Sequence, residues 1–347
     1  MILPHTDTLL IVLMILCFLC WGSWPIFHKM AKRYRFELFY FDFAFGLGFV
    51  ALICAFTVGS LGFDGFNFKD DILNARKQEW LFAVLASMIF NLGNMLTLAA
   101  ASVAGMAVAF PLAFGMALVV GSWMNYLGHP GISTALMGIG TLLIILSVVM
   151  GSSASSHLTV LQHEALAKAG RTKSTRRPSA LKGILLALVG GLALGTFAPL
   201  LVRAQDPDDG VGPYSLLFLF SLGIFASTFV LNLFFMNLPV DGDPLEIADY
   251  IKTPIKNHFF GFSAGAVWGL GALATFVANT PKGDVHPTGI YGPILAQAAP
   301  ILAALWGLII WREFKAGDAR AKAFAGLMLV LFAGGLTVFS MAAASVK

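Results

Sequence analysis

Apolar residues in this chain come in long unbroken runs. They show neither the alternation of half-buried strands nor the narrow stripes of surface helices. Ten runs lie at about 8–30, 37–60, 80–101, 105–127, 132–151, 181–203, 213–237, 258–279, 288–311 and 322–344. Each approximates the roughly 20 residues of helix that cross ~30 Å of hydrocarbon. Lipid offers the backbone no hydrogen bonds, so a spanning segment must satisfy its own, as a helix does. The pattern predicts an all-α integral membrane protein with ten transmembrane helices and the lipid bilayer as its main solvent.

Composition supports this. Charged residues make up 12% and hydrophobic residues 58%, and mean hydropathy is +0.82; soluble domains carry roughly 25% charged residues. Sixteen of the 22 Lys and Arg residues fall in the odd-numbered connections between spans and six in the even-numbered connections and termini. By the positive-inside bias both termini face outward and the long central loop faces the cytoplasm. The net charge of +4 then reports topology and implies no nucleic-acid partner. Cys17, Cys20 and Cys54 lie in apolar runs without metal-type partners and read as small hydrophobes. The first run lacks a basic leader and a cleavage site, so it reads as a retained helix.

The polar, basic stretch 152–180 divides the spans five and five. Five is odd, so a second half related to the first enters the membrane from the other side, as in inverted-repeat transporters. The expected organisation is a first five-helix repeat at 1–151, a cytoplasmic linker at 152–180 and a second repeat at 181–347. Internal matches occur in a common order. Gly22-Ser23-Trp24-Pro25 answers to Gly195-Thr196-Phe197-Ala198-Pro199, "FGLGF" at 45–49 to "FSLGI" at 220–224, and Pro111 to Pro300.

Prolines form a related pattern. Pro25, Pro111, Pro199, Pro293 and Pro300 fall in spans 1, 4, 6 and 9 and predict helix breaks in symmetry-related pairs. A proline frees a backbone carbonyl, which a polar cavity or a neighbouring helix can satisfy. Spans 5 and 10 lack such features and read as peripheral elements for packing or homodimer contact. Gly261, Gly265 and Gly269 share one helical face, a spacing for close helix approach. "GFSAG" there also fits a serine-hydrolase pattern, but that motif needs a strand-turn-helix setting.

Ionisable groups inside a membrane are expensive and mark function by default. Asp42, between Phe41 and Phe43 near the start of span 2, is the leading one. A partly desolvated carboxyl there is suited to binding and releasing a proton. Pairing with Lys32, Arg33 or Arg35 is the structural alternative. Glu37 is expected to cap span 2, and Glu313 in "WREFK" to pair with neighbouring cations in solvent.

The substrate-binding candidates are Ser23, Trp24, Tyr40, Asn91, Asn94, Thr196, Trp268, Tyr291 and Gln297. Amides and hydroxyls suit a neutral ligand with several polar groups, and the aromatic rings can stack on a heterocycle or a sugar. Bridging between helices and interfacial aromatic belts use the same residues. No span carries a mid-membrane Lys or Arg, which argues against a strongly anionic substrate. "AGRTKST" at 169–175 lacks phosphate-loop spacing, so ATP-driven pumping is unsupported. The seven histidines are scattered over loops and helix ends. Enzyme chemistry, a metal site and a cofactor are therefore not expected.

Ten spans in two inverted halves resemble the drug/metabolite transporter superfamily. "WGSWP" at 21–25, "YRFELFYFDF" at 34–43 and the basic central loop resemble bacterial relatives of the ureide permeases. Glucose/ribose and rhamnose uptake transporters are neighbouring branches. Plant ureide permeases carry a phosphate-loop-like motif in the central loop, from which this chain departs. The resemblance implies a proton-coupled symporter that imports allantoin, uracil or a related heterocycle across the bacterial inner membrane, with the Trp24-Pro25 break and Asp42 as its site. A monosaccharide–proton symporter is the alternative in the same class, and a non-transporting receptor or scaffold the alternative in another.

Overall fold

A computed structural model describes residues 1–128, 131–168, 180–206, 209–280 and 295–345, and these are entirely helical apart from turns and connections. In chain order, α1 (Asp7–Ser23) and α2 (Pro25–Met30) make up the first span, and α3 (Phe36–Phe56) and α4 (Val58–Leu61) the second. After the short α5 (Phe68–Asn74) come α6 (Lys77–Ala104), α7 (Met106–Gly128) and α8 (Thr134–Lys168). The second half holds α9 (Leu181–Thr196), α10 (Ala198–Ala204), α11 (Pro213–Asn237), the short α12 (Ile247–Ile251) and α13 (Ile255–Ala278). Last are α14 (Ala299–Leu305), which runs into a π-helical turn at Trp306–Ile310, and α15 (Ala319–Ala344).

Nine segments among the described residues are long and apolar enough to cross a membrane. The protein is a multi-pass membrane protein. The run expected at 288–311 is described from Leu295, as a shorter apolar helix to Ile310. Tyr291 and Pro293 lie outside the described residues.

The chain forms two compact units. The first comprises Met1–Leu92 with Thr196–Ala299, the second Gly93–Gly195 with Pro300–Lys347. Each unit thus draws on both halves of the sequence.

In the first unit, α1 stops at Ser23 and α2 starts on Pro25, with Trp24 between them. Proline suits a first helical turn because its missing N–H has no partner there to lose. The second half repeats the arrangement, α9 ending at Thr196 and α10 beginning at Ala198-Pro199. The seam that holds this unit is backbone against backbone. A methyl group at Gly265 of α13 would strike the Phe43 carbonyl, and one at Gly46 of α3 would strike the Phe262 carbonyl. Gly269 continues the face against Leu47. Small residues let two helices approach this closely, gaining dispersion contact that lipid would otherwise supply.

In the second unit, α8 and α15 pack along their length. Phe339 fills the surface over Gly140, Ile144 sits against Gly335, and the Ser147 hydroxyl donates to the Met328 carbonyl at 2.8 Å. The 35 residues of α8 amount to about 52 Å of helix, longer than the ~30 Å hydrocarbon core. Residues 152–168 of the stretch read as linker therefore continue the helix. Ala154 and Leu158 are buried along it, and His157 meets Asp318 at 3.0 Å.

Two expectations are corrected in this unit. Pro111, expected to break its span, lies inside α7 without interrupting it. As the sixth residue of α7 it costs the helix one hydrogen bond, the one that its N–H would have made to the Ala107 carbonyl, and the helix continues past it. Glu313, expected to pair with cations in solvent, is found to cap α7. It accepts from the backbone N–H of Met106 at 3.2 Å and of Ala107 at 2.9 Å. Free N–H groups and the helix dipole favour a carboxylate there. Arg312, in a left-handed conformation at φ 50°, turns the chain toward it, and Gly105 at φ 84° leaves room for the carboxylate.

The glycine seam makes a direct prediction. Gly265→Val should lower stability by about 1–3 kcal/mol through overpacking. Gly48→Ala, where an added Cβ meets nothing within 4 Å, should be neutral or stabilising by up to about 1 kcal/mol. Thermal unfolding in detergent micelles checks both.

Candidate functional site

Asp42 is 5% exposed, inside the first unit. Of Lys32, Arg33 and Arg35, the partners that the sequence offered, none appears among its bonded groups, and Arg35 is engaged elsewhere. Its guanidinium donates to Glu37 at 2.6 and 3.3 Å and to the Asp243 carbonyl. Glu37 is wholly buried at the start of α3, and an Arg fork is the group best able to satisfy such a carboxylate.

The groups around Asp42 come from three other segments. The Tyr34 hydroxyl donates to Oδ2 at 2.5 Å and the Tyr250 hydroxyl to Oδ1 at 2.6 Å. His258 Nδ1 stands 3.0 Å from both oxygens. Tyr34 lies in the α2–α3 link, Tyr250 on α12 and His258 in the first turn of α13.

Local chemistry explains why each side chain can reach. Arg33, at φ 60°, adopts a left-handed conformation that is uncommon without glycine. This turns the link so that the Tyr34 ring lies edge-on to Phe39 and to His258. α12 is one short turn closed by a reciprocal cap between Glu246 and Asp249, and its tyrosine rests edge-on against Phe41 and His258. On α13, Gly261 lets α3 come close enough. A Cβ at that position would sit 2.5 Å from the Asp42 Cβ.

Both tyrosine hydroxyls are held well above their ordinary pKa. Burial is the larger cause, and the hydrogen bond to Asp42 and its charge add to it. They therefore remain O–H donors throughout the physiological range. The other two members of the cluster are the carboxyl group and the imidazole.

A second feature of the same unit is aromatic. Trp268 is 4% exposed and stacks on Trp21 with ring centroids 5.7 Å apart and on Phe220 at 6.0 Å. Trp24 packs on Phe43 at 5.1 Å, and Tyr40 on the same ring at 4.8 Å. Tyr40 is fully buried. These rings line the packed interior and form no interfacial belt.

The other polar candidates are dispersed. The Asn91 amide donates to Ser227 Oγ at 2.8 Å and Thr228 Oγ1 at 3.0 Å, bridging α6 to α11. Ser23 and Thr196 end α1 and α9, and Gln297 is exposed. Asn94 is buried but belongs to the second unit, as do Pro111 and Pro300. Among the described residues no group of three or more His, Cys, Asp or Glu could hold a metal ion.

Sequence reasoning singled out Asp42 and missed Tyr34, Tyr250 and His258. The available signal was the pattern of lone polar rings at the ends of apolar runs on the same side of the expected topology.

A family model described as "Sugar transport protein" matches residues 10–340. The chain belongs to this family. It is a transporter, and not an enzyme. The chain is 24% identical to "Ureide permease 4" of Arabidopsis thaliana, with 94% of each chain covered, and 23% identical to "Ureide permease 1" of the same plant over 93% and 94%. It is also 24% identical to "Putative ribose uptake protein RbsU" of Staphylococcus aureus (strain COL), over 75% of this chain and 78% of that one. A solved crystal structure shares its fold at a TM-score of 0.51, with 17% identity and 96% of each chain covered.

Replacing Tyr34 by Phe removes one donor to a buried carboxylate and should cost about 1–3 kcal/mol. The two tyrosines also predict a pH effect. Above about pH 10 unfolded tyrosines ionise, whereas the folded chain holds Tyr34 and Tyr250 neutral. The stability they contribute is complete below that pH and is lost as pH rises further. Thermal unfolding from pH 8 to 11 should show this fall, and the Tyr34→Phe, Tyr250→Phe double variant should fall less steeply.

Proposed function

We propose that this protein is a proton-coupled importer of a small, neutral, polar metabolite, most in keeping with a ureide or nucleobase such as allantoin or uracil. The observation that carries the proton-coupling part is Asp42. It is a buried carboxyl group whose described partners are two neutral hydroxyls and one titratable imidazole, so a proton can come and go without breaking an Arg or Lys ion pair. Similarity to two plant ureide permeases along nearly the whole chain supports the substrate class. A monosaccharide–proton symporter is the second reading, supported by the family description and by the ribose uptake relative.

In this reading ten helices form two inverted repeats, 1–151 and 181–347, joined through 152–180. Paired interruptions before Pro25 and Pro199 support that symmetry. Alternating access then carries the solute past the aromatic residues Trp24, Tyr40 and Trp268. The charge bias of the connections supports an orientation with both termini outside and the central loop cytoplasmic, and the bacterial ribose uptake relative supports a bacterial inner membrane location.

Purified protein in liposomes under an imposed proton gradient separates the readings. Accumulation of uracil or allantoin, with ribose, glucose and rhamnose left behind, supports the ureide or nucleobase reading. Accumulation of the sugars alone selects the second. For whichever solute moves, Asp42→Asn should abolish uphill accumulation while solute exchange continues. Undiminished accumulation by that variant removes the coupling role.

A further inference from the structure

The Asp42 carboxyl is buried, so a proton bound there must be handed on by a neighbour that water reaches. His258 and Tyr250 are the partly exposed neighbours, Tyr34 being buried; the His258 side chain is 19% exposed, against 7% for Asp42. Each tyrosine has one oxygen and holds its proton, whereas the imidazole has a second nitrogen to take up a proton while Nδ1 faces both Asp42 oxygens. We infer that His258 is the proton relay to Asp42, taking a proton at Nε2 and passing the one on Nδ1 to the carboxylate. This rests on the reading of Asp42 as the coupling group.

The step balances without any further reactant. Water delivers a proton to Nε2, forming the imidazolium. The Nδ1–H bond then breaks as an O–H bond forms on Oδ1 or Oδ2, 3.0 Å away. The imidazole is left neutral, with its hydrogen on Nε2 and Nδ1 free to accept.

Hydrogen bonding around the pair suits both charge states. With Asp42 ionised, Tyr34, Tyr250 and Nδ1–H all donate to it. With Asp42 protonated, its O–H donates to Nδ1, and Tyr34 has a second acceptor, the Leu38 carbonyl at 3.2 Å. Neither state strands a buried polar atom, which would cost about 1–3 kcal/mol. A purely structural Asp–His pair has no need of that alternative acceptor.

The other titratable groups near His258 are few. Asp42 faces it from α3, Tyr34 from the α2–α3 link and Tyr250 from α12. α2, which also packs on α13, carries His28 and Lys29, and α13 itself carries Lys256 over the Phe260 ring. α1 also packs on α13 and carries Asp7, Cys17 and Cys20. Its contacts with Gly271, Thr275 and Ala278 lie toward the far end of that helix. α11 contributes Tyr214, which is bonded to the Ile2 carbonyl.

The test follows Asp42 directly, without needing the transported solute. Protein in liposomes is acidified by a light-released proton, and the infrared band of the protonated carboxyl is timed, the band being assigned by its loss in Asp42→Asn. His258→Gln should slow its appearance roughly 100-fold, and imidazole added to the buffer should restore much of the rate to His258→Ala. Equal rates in wild type and variants overturn the relay while leaving Asp42 as the coupling group. A slow His258→Ala that imidazole leaves slow also overturns it, because the loss is then structural. A wild-type protein with no band that Asp42→Asn removes would instead end the coupling reading beneath it.

Discussion

A carboxylate withdrawn from water must find hydrogen-bond donors or give up its charge, and much of the first unit is arranged around that constraint. Asp42 has no donor of its own helix to rely on. Its partners lie 8, 208 and 216 positions away in sequence. Satisfying one acid therefore ties together the α2–α3 link, α12 and the first turn of α13. Arg35 and Glu37 form a separate pair, which engages that cation away from the Asp42 oxygens. A group paired with Arg would stay ionised. One surrounded by hydroxyls and an imidazole has no such fixed counter-charge.

Glycine makes this geometry accessible. The α3–α13 seam brings two backbones into contact at Gly46, Gly265 and Gly261, and the last of these is where Asp42 enters. Any side chain at Gly261 would push the two helices apart by roughly the width of a methyl group, and the His258 contact one turn away would open with them. The same small residues that permit helix association thus also fix the spacing of the site.

Much of this architecture was legible in the chain. Long apolar runs predicted the spans because lipid enforces helix, and the broken helix at Trp24-Pro25 followed from the chemistry of proline. Asp42 was legible because an acid among phenylalanines is costly. Its partners were not, since nothing local marks Tyr250 or His258 as different from other rings at span ends, and their relation to Asp42 exists only after folding. Pro111 misled because a proline inside a helix removes one backbone hydrogen bond without necessarily ending the helix, and sequence alone does not distinguish the two outcomes. Glu313 misled for a related reason: its cationic neighbours are adjacent in sequence, but the backbone N–H groups it caps lie more than 200 residues away.

The central claim is that the Asp42 carboxylate physically gathers these segments. Hydrogen–deuterium exchange on wild type and Asp42→Leu in detergent micelles tests it most directly, since leucine keeps the volume and removes both acceptor oxygens. Residues 31–38, 246–252 and 255–262 should lose protection together, while α8 and α15 remain as in wild type. Unchanged protection of those three segments would contradict the account.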